Sequence, residues 1–425
     1  SSFFFLSIED LIQRDVLPFY GKTHDHHSLC GHQSTAFQEE ARQVVAQATN
    51  AKLSIGDNEG GKSKDVIIFA GTGATGATNK LVHILGLNAM VAEATRNGTT
   101  LPVILVGPFE HHSNLLPWRE TGSRVLRIKE NEQGQLDLLD LESCLIEVTK
   151  TGPNTTTAAA PPLIVGTFAA ASNVTGVLTD VDLVTALLHR YNALAIFDYA
   201  TAGPYVPMDM NPPMNAKGDV LAKDAIIFSP HKFLGGVNTP GVLVVKKSLC
   251  INQVPSSPGG GTVFYVTENA HRFLSNRSER EEGGTPDIVG TIRAGLACQL
   301  KTSIGIDNIY QEEMKISTKI YTWLKTSCQH LILLGPDNST TPRLPIFSFL
   351  IRAPKHISGN LKNGMFLHYN YVTRLLNDVF GIQARGGCAC AGPYAQDLLG
   401  MSSRSFNGVA YSDLFETSLL NKNEL

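Results

Sequence analysis

From Val66 to about residue 300 the chain alternates short β-branched runs with helical patterns, and no other feature limits the fold so strongly. The runs are Val66–Phe69, Val103–Val106, Val125–Ile128, Leu163–Phe168, Leu194–Phe197, Ala225–Phe228 and Gly241–Val245, with helices expected over about 77–96 and 181–192. Strands separated by helices make a mostly parallel sheet covered by helices, because a parallel pair needs a long crossover. Before this region, residues 1–60 read as helix and loop, with Ser34-Thr35-Ala36-Phe37-Gln38 opening an amphipathic segment to about Thr49. After it, helical patterns at Tyr310–Leu324 and Val372–Val379 flank the strand-like Ile346–Ile351. The expected division is α/β: an N-terminal segment 1–60 packing with the small domain, a large domain over 61–300, and a smaller α+β domain over 301–425. The Pro/Gly/Thr-rich stretches 151–162, 211–218 and 252–262 read as loops.

The 425 residues carry 35 basic and 38 acidic side chains, a formal net charge of -3, so neither nucleic acid nor a membrane surface is an expected partner. Seven scattered cysteines do not make a disulfide framework and point to a reducing compartment, cytoplasm or organelle interior. No run approaches the roughly 18 apolar residues of a membrane span, and the start lacks the basic region of a signal peptide. A small-molecule function is the default that this leaves.

Chemistry-bearing residues cluster where the strands end. Ser229-Pro230-His231-Lys232-Phe233-Leu234-Gly235-Gly236 lies between two apolar runs and places a lysine there, either a surface turn residue or a nucleophile able to form Schiff bases. Ala70-Gly71-Thr72-Gly73-Ala74-Thr75-Gly76 joins a strand to a helix, the arrangement that cradles a phosphate on backbone N–H groups. Gly71, Gly73 and Gly76 also fit the dinucleotide fingerprint, but no acidic residue stands about 20 positions on at a strand end, so a single phosphate suits the loop better than a pyrophosphate. Glu110-His111-His112-Ser113-Asn114 follows the Val103 run; at most one of the two histidines enters a site, and stacking on a planar ring suits it better than binding a metal whose other ligands are missing. Ser172-Asn173-Val174-Thr175-Gly176 supplies an amide at the next strand end, and Asp198 ends the Leu194 run as either a partner for a cation or a helix cap. A lysine, an aspartate at a strand end, a phosphate loop and a histidine together are what pyridoxal 5′-phosphate requires.

In these motifs, with Gly284-Thr285-Pro286 and Arg385-Gly386-Gly387-Cys388-Ala389-Cys390-Ala391-Gly392-Pro393, the chain resembles the class V aminotransferase family of pyridoxal phosphate enzymes, which contains cysteine desulfurases and selenocysteine lyases. The resemblance covers about residues 66–400. It implies a pyridoxal phosphate transferase-like fold with a seven-stranded, mostly parallel sheet. It implies that Lys232 carries the Schiff base, that Asp198 pairs with the pyridine nitrogen, that His111 stacks on the ring and acts in catalysis, and that Asn173 touches the ring oxygen or the substrate. Ala74, Thr75, Ser229 and His231 would hold the phosphate, with Thr285 reaching in from a second subunit of a homodimer. Thr201 stands where the family's desulfurases usually have Gln. Arg385 belongs to the substrate side, and Cys390, five residues after it, matches the sulfur-accepting cysteine, with Cys388 as a second candidate. Cys388-Ala389-Cys390 replaces a histidine pair of many relatives, and Arg404 is a poor match to the arginine that binds the substrate carboxylate. The implied activity is conversion of L-cysteine to L-alanine with a persulfide left on the enzyme, with a sulfur-acceptor protein as a further partner. Another class V aminotransferase or lyase, a cofactor-binding scaffold without catalysis, and a nicotinamide-dependent dehydrogenase are the alternatives.

Overall fold

A computed structural model describes residues 2–23, 27–53, 64–150, 161–336, 341–353, 365–401, 405–406 and 409–410. Arg404, residues 421–425 and most of the loop 151–162 lie outside the described residues. The β-branched runs form strands because their side chains pack well on a pleated surface. Seven of them, β1 (Asp65–Ala70), β2 (Val103–Val106), β3 (Arg124–Arg127), β4 (Ile164–Ala169), β5 (Leu194–Asp198), β6 (Ala225–Phe228) and β7 (Gly241–Lys246), make one sheet in the order β1-β7-β6-β5-β4-β2-β3. Within it β7 runs antiparallel to β1 and β6, and the remaining pairs are parallel. This is the mostly parallel seven-stranded α/β sheet that the resemblance implies.

Helices cover both faces. Along β1, Ile67 and Phe69 enter one core with Val45 and Ala46 of α1 (Leu29–Ala48), while Val66, Ile68 and Ala70 enter the other with Ala74, Ala77 and Leu81 of α2 (Gly73–Ile84). Every residue of β1, β2, β4 and β6 is buried, which is why these runs are apolar apart from Asp65 and Thr167. Each fully buried aliphatic or aromatic side chain here contributes roughly 1.5–3 kcal/mol. The edge strand β3 carries Arg124 and Arg127 at its exposed ends, a charge pattern that discourages pairing with another chain.

Three local expectations are corrected. α1 begins at Leu29 and not at Ser34, because Ser28 caps it by accepting a hydrogen bond from Gly31 N at 3.1 Å. The helix expected over about 77–96 is two, α2 and α3 (Leu87–Asn97), separated at Gly86, whose φ of 66° leaves the helical region. The strand-like Ile346–Ile351 forms only a short strand, Phe349–Ile351, paired antiparallel with Leu331–Leu333.

Beyond the sheet, α4 (Ile288–Ile304) packs along α1 and receives the N-terminal Ile8, Ile12 and Val16 on Ile288 and Ile292. The C-terminal part returns to the sheet through α5 (Gly392–Leu398). Its Tyr394 meets Phe109 edge-on at 5.1 Å and, with Ala391, Val174 and Val177, forms a small buried core. The chain around residue 390 is thereby held against the loops that leave β2 and β4. No helix among the described residues is long and apolar enough to cross a membrane.

Candidate active site

Because they are parallel, β1, β2, β4, β5 and β6 deliver the loops that follow them to one edge of the sheet, where open α/β folds bind ligands. After β1, Thr72 and Gly73 adopt left-handed φ values of 52° and 62° and turn the chain into α2. Gly73 must be glycine here: a Cβ would stand 2.7 Å from His231 Cε1 and 3.1 Å from Ser229 Oγ. Ala74 N donates to Ser229 Oγ at 2.9 Å, and the hydroxyls of Thr75 and Ser113 lie 2.6 Å apart. The N–H end of a 12-residue helix thus faces Ser229 and His231, an anion cradle of the kind the sequence suggests.

A cavity of about 950 Å³ opens beside this cradle, lined by Thr72, Gly73, His231, Glu282 and Thr285. Glu282 fixes that wall: it takes a bidentate ion pair from the buried Arg42, both distances 3.0 Å, and accepts from Phe69 N at 2.7 Å. Thr285 therefore borders the cradle's cavity in its own chain.

Asp198, at the end of β5, is buried and accepts from Ala200 N at 2.8 Å. Burial raises its pKa, and the charge of Lys232 opposes the rise. Thr201 follows it in the turn. Lys232 ends a short 3₁₀ turn after β6 and keeps accessible surface, while the surrounding walls desolvate the ammonium enough to lower its pKa against the pull of Asp198. Lys232 is more easily deprotonated than a surface lysine, as a nucleophilic amine requires.

His111 accepts from Ser113 N at Nδ1, 3.1 Å away, which orients the ring. Burial, then the charges of Lys232, His112 and Arg385, push its pKa down to about 4. The ring is therefore neutral at physiological pH. His111 titrates at an ordinary 6.5 when unfolded, so its contribution to stability is complete above pH 6.5 and is lost as pH falls through about 4. Thermal unfolding of His111→Gln and the parent should show the parent losing more between these values, and an NMR titration of the ring should have its midpoint near 4.

The second histidine has a separate task. Cys388 O accepts from Ala391 N at 3.0 Å, closing a tight turn with Ala389 at φ 52° and Cys390 at φ 58° in its centre. Two positive φ values define a mirror-type turn that favours Asn-Gly. A left-handed residue with a Cβ costs roughly 1–2 kcal/mol. The turn is held from outside: His112 N donates to Cys390 O at 2.7 Å, Gly392 N donates to His112 Nε2 at 3.0 Å, and Asn173 Nδ2 donates to Ala389 O at 2.7 Å. Arg385 Nη2 donates to Cys390 Sγ at 3.1 Å. Cys390 is half-buried and Cys388 exposed. Asn173 Oδ1 is buried without a hydrogen-bond partner, an acceptor left for a ligand.

Two residues that support the site lack an assigned role in the sequence reading. Glu110, buried, accepts from Ala169 N at 2.8 Å and Asn114 Nδ2 at 2.5 Å, tying the histidine loop to β4; burial raises its pKa to about 8. His112 was legible only as a neighbour of His111, since its partners lie on a loop far along the chain. The available signal was an acidic residue in the loop that follows a buried strand. The structure thus brings Ala74, Ser229 and His231 together around Gly73, sets Lys232 within electrostatic reach of Asp198, His111 and Arg385, and joins Asn173 and Arg385 to the Cys390 turn.

A family model described as aminotransferase class-V matches residues 9–403. A probable cysteine desulfurase of Streptomyces coelicolor is 26% identical over 285 residues, 66% of this chain and 59% of that protein. A cysteine desulfurase of Shigella sonnei is 28% identical over 294 residues, 68% of this chain and 62% of its own. The matched region thus spans about three fifths of the length of these curated relatives. Among solved structures, the apo cysteine desulfurase of Thermococcus onnurineus NA1 superposes with a TM-score of 0.70 at 23% identity, covering 93% of this chain and 84% of that one. A cysteine desulfurase from Escherichia coli gives 0.66 at 20% identity, covering 93% and 84%. These two likenesses concern the fold.

Proposed function

Because the chain belongs to the class V aminotransferase family, we propose that it binds pyridoxal 5′-phosphate and converts L-cysteine to L-alanine, leaving the sulfur as a persulfide on Cys390. One observation supports the sulfur chemistry above others: Arg385 donates to Cys390 Sγ at 3.1 Å while its charge also acts on Lys232 and His111. A thiol is thereby tied to the group that a lysine, an aspartate and a neutral histidine share.

The residues fit the cofactor. The cradle at Gly73, where a side chain would collide with His231 and Ser229, has groups a phosphate needs: the Ser229 hydroxyl, which accepts the Ala74 N–H and keeps its own O–H to donate, the Thr75 hydroxyl and His231. Lys232 would bond to the cofactor's aldehyde carbon, Asp198 would face its ring nitrogen, the neutral His111 would lie against its face, and Asn173 Oδ1 and Thr201 would stand beside it. When bound, the cofactor supplies an electron sink for bonds broken at the substrate's α- and β-carbons. Burial around Asp198 strengthens its interaction with any positive charge opposite. The lowered pKa of Lys232 equips Nζ to take up and return a proton. Cys390 Sγ is the atom that would bond to the substrate's sulfur. Arg385 helps place it, and Thr285 would contribute to a phosphate site in a homodimer. A soluble thiol or an acceptor protein would then remove the sulfur.

Loaded with pyridoxal phosphate, the protein should show a visible band that changes when L-cysteine is added, and alanine should accumulate. A band that responds to other amino acids with transfer of the amino group, and no alanine from cysteine, would assign another class V reaction. A band that responds to no amino acid would leave a cofactor-binding scaffold.

A further inference from the structure

We infer that His112, with Asn173, is a positioning residue that keeps the Cys390 turn in a backbone conformation its own sequence disfavours. The inference rests on Cys390 being the sulfur acceptor proposed above. Ala389 and Cys390 are consecutive residues with a Cβ at φ 52° and 58°, in a turn type that selects glycine and asparagine. Strain of this kind persists only where neighbouring structure over-determines it. The neighbours here are specific. His112 brackets Ala391, with its backbone N–H on Cys390 O at 2.7 Å and its ring Nε2 taking Gly392 N–H at 3.0 Å. Asn173 holds the preceding peptide through Ala389 O at 2.7 Å. Ala389 also packs against the apolar anchor of Ala391 and Tyr394, and the polar contacts fix the carbonyls of Ala389 and Cys390 themselves.

The consequence concerns which cysteine reacts. Held in this turn, Cys390 is half-buried with its sulfur on Arg385, and Cys388 faces solvent. A relaxed turn releases Cys390 from Arg385 and allows Cys388 to compete for the same sulfur. Both histidines of the 111–112 pair then serve one site, His111 toward Lys232 and His112 toward Cys390.

The test uses the full chain loaded with pyridoxal phosphate, as parent, His112→Ala and His112→Ala/Ala389→Gly. Glycine at 389 accepts a positive φ without a Cβ penalty, so it should restore the turn without the clamp. Iodoacetamide labelling followed by mass spectrometry reads each cysteine. Cys390 labelling should rise in His112→Ala by about tenfold, the factor that 1.4 kcal/mol represents, and fall back in the double variant. Single-turnover alanine release should drop by a similar factor at unchanged visible absorbance and unchanged KM for L-cysteine, and recover in the double variant. Should His112→Ala not fold, His112→Gln carries the same comparison. Parent-like labelling and turnover in the folded variants, or a loss that glycine at 389 does not restore, overturns the positioning role. A parent that makes no alanine from cysteine overturns the desulfurase reading instead, and the labelling ratios still decide the turn.

Discussion

Lys232→Ala is expected to lose the covalent cofactor band entirely and to lower amino-acid turnover by roughly three orders of magnitude or more, the scale on which removing the nucleophile of a catalytic unit acts. The protein itself should remain folded. Lys232 has accessible surface and a pKa lowered by desolvation, so its removal relieves a cost and opens no apolar cavity. The anion cradle is independent of it, since Ala74 N, Ser229 and Gly73 are arranged by β1, α2 and β6. The variant should therefore still bind free pyridoxal phosphate, more weakly and without the bond that borohydride traps. A parent protein with no such band, or a Lys232→Ala protein that keeps it, would remove the lysine from its assigned role.

Cys390→Ala should abolish persulfide formation and reduce alanine release from L-cysteine by about a thousandfold, because among the described residues Cys390 is the thiol that Arg385 holds. Cys388→Ser should stay within about twofold of the parent, since the side chain is exposed and the hydrogen bond from that guanidinium goes to Cys390. The contrast matters because the two cysteines stand two residues apart. If Cys390→Ala kept full sulfide production, the chain would still be a class V family member, with a different reaction.

The sheet was legible because its inner strands are buried on both faces. Continuous runs such as Val66–Phe69 and Val103–Val106 cannot be helices of useful length, and their ends located Asp198, Lys232 and His111. Helix limits were less legible. Gly86 ends α2 through its backbone freedom, a cost that periodicity does not register, and Ser28 moves the start of α1 by a single capping bond. The Cys390 turn was the least legible part. Nothing in Cys388-Ala389-Cys390 announces two left-handed residues. The cause lies in His112 and Asn173, from loops that only the folded sheet brings beside it. The resemblance placed Arg385 on the substrate side, and in the structure its guanidinium already engages Cys390 Sγ. Thr285 borders, in its own chain, the cavity beside Gly73 and His231, and the proposed reach into a second subunit depends on a homodimer.

Mass spectrometry of the Cys390 peptide after a brief reaction of the cofactor-loaded protein with L-cysteine, with free thiols and persulfides trapped by alkylation, is the most direct test of cysteine desulfuration at this site. The expected result is a peptide heavier by one sulfur atom at Cys390, formed together with an equal amount of alanine and absent from Lys232→Ala. Alanine formation with no added sulfur on Cys390, or added sulfur that does not require Lys232, would contradict it.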